Sequence, residues 1–234
     1  IELRGDSRVL GLLHADKQVT GVKVVHNATQ EDLYADLTID CSGVGSKSLQ
    51  WVCDIVDPAC TNAAKKYKTH YKLNIVYNSI EFQVKNKEGR LAIREQNDTP
   101  LRLVFCLPKF PASKGLVCYE IEDGRAMLLV GGNGKFTGVK TMDEAKEYMA
   151  TEPEFTRECL DIIADQMEDP EQRFVTYKKD GSVFNHFHEL KVKGFIALGD
   201  CVASFNPVYG QGMTTAAEAC LTLDRFLRAS TVPI

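Results

Sequence analysis

No Cys-x-x-Cys pair occurs among the eight cysteines, which stand scattered at Cys41, Cys53, Cys60, Cys106, Cys118, Cys159, Cys201 and Cys220. That spacing excludes a zinc ribbon and a dithiol redox pair. Several of these cysteines lie inside apolar runs, where a reduced thiol packs as a small hydrophobe, so a reducing, cytoplasmic location is expected rather than a disulfide framework. No stretch approaches the ~18 apolar residues of a membrane-spanning helix, so no integral membrane contact is expected. There is no basic run, and a net charge of -4 argues against a nucleic-acid surface. His186 and His188 stand two apart, as on one face of a strand, but with no other nearby ligand recognised no metal is expected.

Two phosphate-binding signatures are also missing. No Gly-x-Gly-x-x-Gly turn occurs anywhere. Gly131-Gly132-Asn133-Gly134-Lys135 fails as a P-loop, because Leu129 stands where the first glycine belongs and Phe136 where a serine or threonine belongs; it reads as a flexible loop. No nucleophile, catalytic histidine or acid–base pair stands out, so the catalytic residues stay unassigned.

What remains is an ordinary globular chain of 234 residues, 44% apolar and 26% charged, long enough for one large domain or two modest ones. Alternating apolar residues around Val9–Leu13 and Val19–Val25 predict a hairpin or small meander, and Tyr34–Ile39 a further strand. Trp51 to Lys66 is mixed, with a turn at Asp57-Pro58. Strand signals then dominate over Tyr71–Tyr77, Ile80–Val84, Leu91–Arg94, Leu101–Leu107, Gly115–Ile121 and Ala126–Val130, the last two joined by the hairpin dipeptide Asp123-Gly124. Helices are predicted over Met142–Met149 and Pro153–Met167, the second with Pro153 in its first turn and an apolar face of Phe155, Cys159, Ile162, Ile163 and Met167. Phe174–Tyr177 and Val183–Leu190 read as extended. The expected class is α/β of mixed α+β character.

The most informative stretch is Phe195 to Arg228. Phe195-Ile196-Ala197-Leu198 reads as a strand buried on both faces, ending at Gly199-Asp200. A loop with Pro207, Gly210 and Gly212 follows, then a helix with apolar residues at Met213, Ala216, Ala217, Cys220, Leu223 and Leu227. Glycines there allow the backbone to approach a flat ring, the helix start offers free N–H groups to an anion, and Asp200 can accept hydrogen bonds from sugar hydroxyls. A second turn of small residues, Ser42-Gly43-Val44-Gly45-Ser46, follows the strand candidate ending at Asp40.

Gly199-Asp200, Pro207 and Gly210-Gln211-Gly212-Met213 with the alanine-rich helix resemble the second flavin-binding motif of the single-component FAD-dependent monooxygenases. The phrase Phe205 to Met213 is similar to the subgroup described as polyprenyl-methoxyphenol-hydroxylase-like. Ser42-Gly43, Ser46 and Lys47 resemble a further segment of that family, with Ser42 where many members carry aspartate. The resemblance implies the C-terminal part of a three-layer FAD/NAD(P)-binding fold: residues 1–66 as a partial FAD-binding domain, 67–190 as an antiparallel-sheet substrate domain and 191–234 as the returning FAD-binding part. It implies FAD held by Ser42, Gly43, Gly199, Asp200, Pro207, Gly210, Gln211, Gly212 and Met213. It also implies NAD(P)H as electron donor, and O2-dependent hydroxylation or epoxidation of a small hydrophobic or aromatic substrate. Because the family begins with the absent Gly-x-Gly-x-x-Gly segment, the chain is expected to lack roughly the first third of its parent and to be inactive alone. A halogenase or reductase on the same fold, and a non-catalytic binding module, stand as alternatives.

Overall fold

The computed structural model describes residues 2–59, 62–85, 90–96, 99–106, 114–133, 136–169 and 171–229. Two compact units form. One is discontinuous and takes Ile1–Lys72 with Gly181–Ile234; the other is Leu73–Asp180.

The discontinuous unit opens with the two predicted strands, β1 (Ser7–Ala15) and β2 (Gln18–His26), and a third that the sequence reading did not pick out, β3 (Thr29–Tyr34), antiparallel in that order. The next strand is shorter than predicted. The chain leaves β3 at Tyr34 and re-forms as β4 (Thr38–Asp40), so Ala35 to Leu37 is a connection and not strand. The segment that reads as mixed is helical: α1 (Ser48–Val56) and α2 (Ala63–Lys66). Leu49, Val52 and Cys53 of α1 fall at helical spacing and bury against Leu190, with Leu12, Phe187 and Phe195 packed around them. The unit is completed by the far end of β11 (Val175–Asn185), β12 (Phe195–Ala197), β13 (Ala203–Ser204) and α5 (Gly212–Ala229).

β12 pairs in parallel with β4, Ile196 opposite Ile39, and these two strands form a sheet of their own. Parallel strands need a crossover between them, and here it is nearly the whole intervening chain. The expectation that Phe195–Leu198 is buried on both faces does not hold: β12 is half-buried throughout, and Ile39 is 41% exposed.

In the continuous unit β5 (Lys68–Gln83), which begins in the other unit, is one long strand where the sequence suggests two. β10 (Arg125–Asn133) pairs with it, Leu128 opposite Ile80, and β9 (Lys114–Glu120) and β8 (Leu103–Cys106) follow outward, all antiparallel. The β9–β10 hairpin turns at Asp123 (φ 59°) and Gly124 (φ 69°), the paired positive φ of a tight hairpin turn. Leu91–Ile93 is not strand; β6 (Arg94–Gln96) and β7 (Thr99–Leu101) pair only with each other.

Gly131 and Gly132 are part of β10, opposite Tyr77 and Val76, and not a flexible loop; Gly134 and Lys135 lie outside the described residues, as does Leu107. A side chain on Gly132 would run into the Tyr148 hydroxyl and the Phe136 side chain, so those rings approach β10 closely at this position. Period-2 alternation puts Ala126, Leu128 and Val130 on the buried face. That face is covered by α3 (Met142–Met149) and α4 (Glu154–Asp165) through Ala145, Met149, Cys159, Leu160 and Ile163. Thr141 caps α3 by accepting the Glu144 N–H at 3.2 Å. Pro153 caps α4 from outside rather than sitting in its first turn, and Phe155 and Ile162 point outward at 42% and 38% exposure.

No helix among the described residues is long and apolar enough to cross a membrane.

Candidate functional site

Because β4 and β12 run in parallel, their carboxyl ends lie side by side, and this is the edge at which open α/β sheets bind ligands. Each strand gives way there to a single 3-10 turn, Gly43–Gly45 after β4 and Gly199–Cys201 after β12, and the two turns are in contact. The Leu198 N–H donates to the Asp40 carbonyl at 2.9 Å, continuing the ladder into the turns. The buried Cys201 thiol lies 2.9 Å from the Asp40 carbonyl and 2.6 Å from that of Leu198.

Asp40 organises the first turn. Its carboxylate accepts the Ser42 N–H at 2.8 Å, the Ser42 hydroxyl at 2.6 Å and the Ser46 hydroxyl at 2.5 Å. Burial alone would raise its carboxyl pKa, but the hydrogen bonds from Ser42, Ser46 and Ser48 together outweigh that effect and hold it below the usual carboxylate range. The same burial, together with the Asp40 charge, pushes the Cys201 thiol up. Ser42 thus spends its hydroxyl inside the turn, whereas Gly43 sits at φ 79° with open space where a Cβ would stand.

The second turn is built differently. Gly199 adopts φ 67°, a conformation that favours glycine, and this delivers Asp200 to the surface. The Asp200 carboxylate makes no hydrogen bond or ion pair with the described residues. It lies beside the start of α5, with Oδ1 3.7 Å from where a Cβ on Gly212 would be. Between them Pro207–Tyr209 forms a 3-10 turn, and Gly210 leaves it at φ 62° with nothing within 4 Å of a Cβ position. Gln211 reaches back to the Tyr209 carbonyl at 3.2 Å, and its own carbonyl accepts from the N–H and hydroxyl of Thr215. Met213 is 87% exposed.

These residues fit a flavin dinucleotide chemically. An exposed, unpartnered carboxylate suits ribityl hydroxyls, an open glycine edge suits a planar ring, and the first N–H groups of an 18-residue helix suit an anionic group. The nine residues picked out by sequence therefore fall on adjoining turns and one helix start, all within one unit. Sequence reading missed Asp40 as the residue that sets the first turn, although the serines at two, six and eight positions onward were a visible signal. It also missed Asn185, whose Nδ2 donates to the Cys201 carbonyl at 2.7 Å while its Oδ1 is buried with no partner among the described residues. Nothing in the sequence around Asn185 announces that contact.

The helix that follows the site touches the Gly199–Cys201 turn and lays a half-buried stripe of Ala216, Ala219, Leu223 and Leu227 inward. None of the residues of α5 is buried, and Leu221 and Phe226 are 58% and 59% exposed.

No protein-family model matches the chain, and no curated protein matches it. Solved structures do. A triple mutant of the flavin-dependent brominase Bmp2 is 11% identical, covering 97% of this chain and 53% of its own, with a TM-score of 0.59. Klebsiella pneumoniae HpxO complexed with FAD and uric acid is 15% identical over 97% of this chain and 50% of its own, with a TM-score of 0.57. CmlS, a flavin-dependent halogenase, is 14% identical over 95% of this chain and 36% of its own, with a TM-score of 0.56. The chain has the α+β fold of these flavoproteins and spans about half the length of the first two.

Proposed function

We propose that this chain supplies the ribityl and ring-edge half of an FAD site in a flavin-dependent monooxygenase that uses NAD(P)H and O2 on a small hydrophobic or aromatic molecule. One observation carries the reading: the Asp200 carboxylate, without a partner among the described residues, stands beside Gly212 at the carboxyl edge of a parallel strand pair. When bound, the flavin supplies the electron transfer and the oxygen chemistry, which no side chain can provide. The chain's own residues bind and orient. Asp200 accepts hydrogen bonds from the ribityl hydroxyls. Gly210 admits the ring edge, and the N–H groups of Gly212 and Met213 face it, where the helix dipole favours negative charge. Ser42 and Gly43 bound the same edge from the neighbouring turn, held in shape by Asp40.

Activity is proposed for a polypeptide that also contributes a pyrophosphate-binding turn. The exposed apolar side chains of α5, Met213 and Leu221, and the two-stranded parallel sheet support the same view, since parallel strands and amphipathic helices are normally covered. Those exposed residues equally suit a non-catalytic binding module, and flavin binding separates the two.

The test is a fluorescence titration of FAD into the 234-residue chain and into Asp200→Ala. The chain is expected to bind weakly, and loss of a hydrogen bond to a charged acceptor is expected to cost about 1.5–3 kcal/mol, roughly a tenfold to hundredfold weakening. Equal retention in both proteins removes Asp200 from the site. A stoichiometrically yellow wild-type protein overturns the half-site reading, and no saturable binding at all favours the binding module.

A further inference from the structure

Immediately before β12 the chain makes a 3-10 turn, Phe187–Glu189, and this turn gathers three metal-ligating side chains. One ligand atom each from His186, His188 and Glu189 lies within 4.8 Å of the others. Glu189 Oε1 is 3.5 Å from His186 Nδ1 and 3.9 Å from His188 Nε2. In a tetrahedral set with bonds of ~2.0–2.1 Å, neighbouring ligand atoms stand about 3.4 Å apart. The observed spacings therefore need only small side-chain rotations to close on one ion.

The surroundings of the turn show that the arrangement is prepared rather than a chance meeting of flexible side chains. The turn is pinned from inside, because Phe187 and Leu190 pack into the small core with α1, which leaves His186, His188 and Glu189 together outside that core. It is also pinned through its backbone: the His186 N–H donates to the Tyr67 carbonyl at 2.7 Å, and the Glu189 N–H closes onto the His186 carbonyl at 3.1 Å. Finally, His186 Nε2 lies 2.7 Å from the Thr69 hydroxyl. If that nitrogen carries the proton, Nδ1 is left with its lone pair towards Glu189, which is how the second nitrogen of a ligating histidine is normally held. Phe184 packs edge-on against the His186 ring, with centroids 4.7 Å apart, and limits its rotation.

We infer that His186, His188 and Glu189 form a binding site for a divalent first-row transition cation, with Zn2+ as the natural occupant. Two imidazoles and one carboxylate suit zinc and its neighbours rather than calcium or magnesium, which prefer all-oxygen sets. With His188 65% exposed, the remaining coordination positions face solvent. The ion clamps the turn that feeds β12, and so stiffens the approach to Gly199 without entering the flavin chemistry. The sequence expectation of no metal counted the two histidines alone; the turn adds the third ligand and the threonine behind it.

The test is calorimetric titration of ZnCl2 into the apo chain, with Cys41→Ser/Cys220→Ser as the background, because these two cysteines are exposed and would compete. One equivalent is expected to bind, with His188→Ala and Glu189→Ala each weakening binding at least tenfold. Both residues are solvent-facing, so neither substitution threatens the fold. Thr69→Val, which touches no metal, is expected to weaken it about tenfold or more through His186. Zinc affinity unchanged in His188→Ala and Glu189→Ala, or binding absent from the double-serine background, overturns the assignment.

Discussion

The sheet-and-helix unit and the parallel-strand region of the other unit are made from similar residues but finished to different degrees. In the first, β10 buries Ala126, Leu128 and Val130 completely, and α3 and α4 lay Ala145, Met149 and Ile163 on them with no exposed surface left. The fully buried Asn78 amide is satisfied there: it donates to Thr176 Oγ1 at 2.6 Å and accepts the Val139 N–H at 2.9 Å. In the second, an 18-residue helix of comparable amphipathicity has no fully buried residue, and among the described residues two parallel strands stand without further neighbours in their sheet. Burial is where stabilisation comes from, so the first region holds itself together while the second displays a binding edge. The contrast teaches that the first of the proposed cofactor turns is shaped by local hydrogen bonding, above all that of Asp40, while the second is anchored by the buried Cys201.

The sharpest way to break this contrast is to hollow the packed unit. Leu128→Ala removes a side chain with no exposed surface from the centre of β10, where α3 and α4 cannot collapse fully onto the gap. The expected loss is about 2–5 kcal/mol, read as a shift in the urea midpoint with unchanged slope. A loss below ~1 kcal/mol would mean that the core is far looser than its burial indicates.

An intermediate effect is expected at Asp40, where the turn's integrity depends on charge. Its folded pKa is depressed, so its contribution is fully present above the unfolded value of about 3.9 and is lost as pH falls through the lower folded value. Melting temperature measured from about pH 5 down to pH 3 should fall with a steeper acid slope in the wild type than in Asp40→Asn. Identical slopes would show that the serine hydrogen bonds do not favour the charged form.

Much of this was readable from sequence because the determinants are local. The alternation in Val19–Val25, the Asp123-Gly124 turn and the Gly199-Asp200 and Gly210–Met213 pattern each act over a few residues, and each lies where it was expected. What escaped depends on partners distant in sequence. α1 is helical because Leu49, Val52 and Cys53 find Leu190, some 140 residues away, and Gly131-Gly132 reads as loop until Tyr77 and Tyr148 are known to press on it. β12 looks like a doubly covered strand because its composition is that of one. Burial is set by neighbours, and apolar letters alone do not show whether neighbours are present.

The smallest effect is expected on α5, and there a null result is the informative one. Leu221 is more than half exposed, so Leu221→Ser removes little buried surface. Surface substitutions of this kind change stability by no more than about 0.5 kcal/mol, against several for Leu128→Ala. Chemical denaturation of the two variants side by side measures the contrast directly. If Leu221→Ser costs as much as Leu128→Ala, that face of the helix is packed against something within these 234 residues, and the view of an exposed flavin-binding edge fails with it. If the cost is negligible here yet the same substitution weakens FAD retention in a polypeptide that supplies the pyrophosphate turn, then α5 is a surface whose packing arrives with that turn.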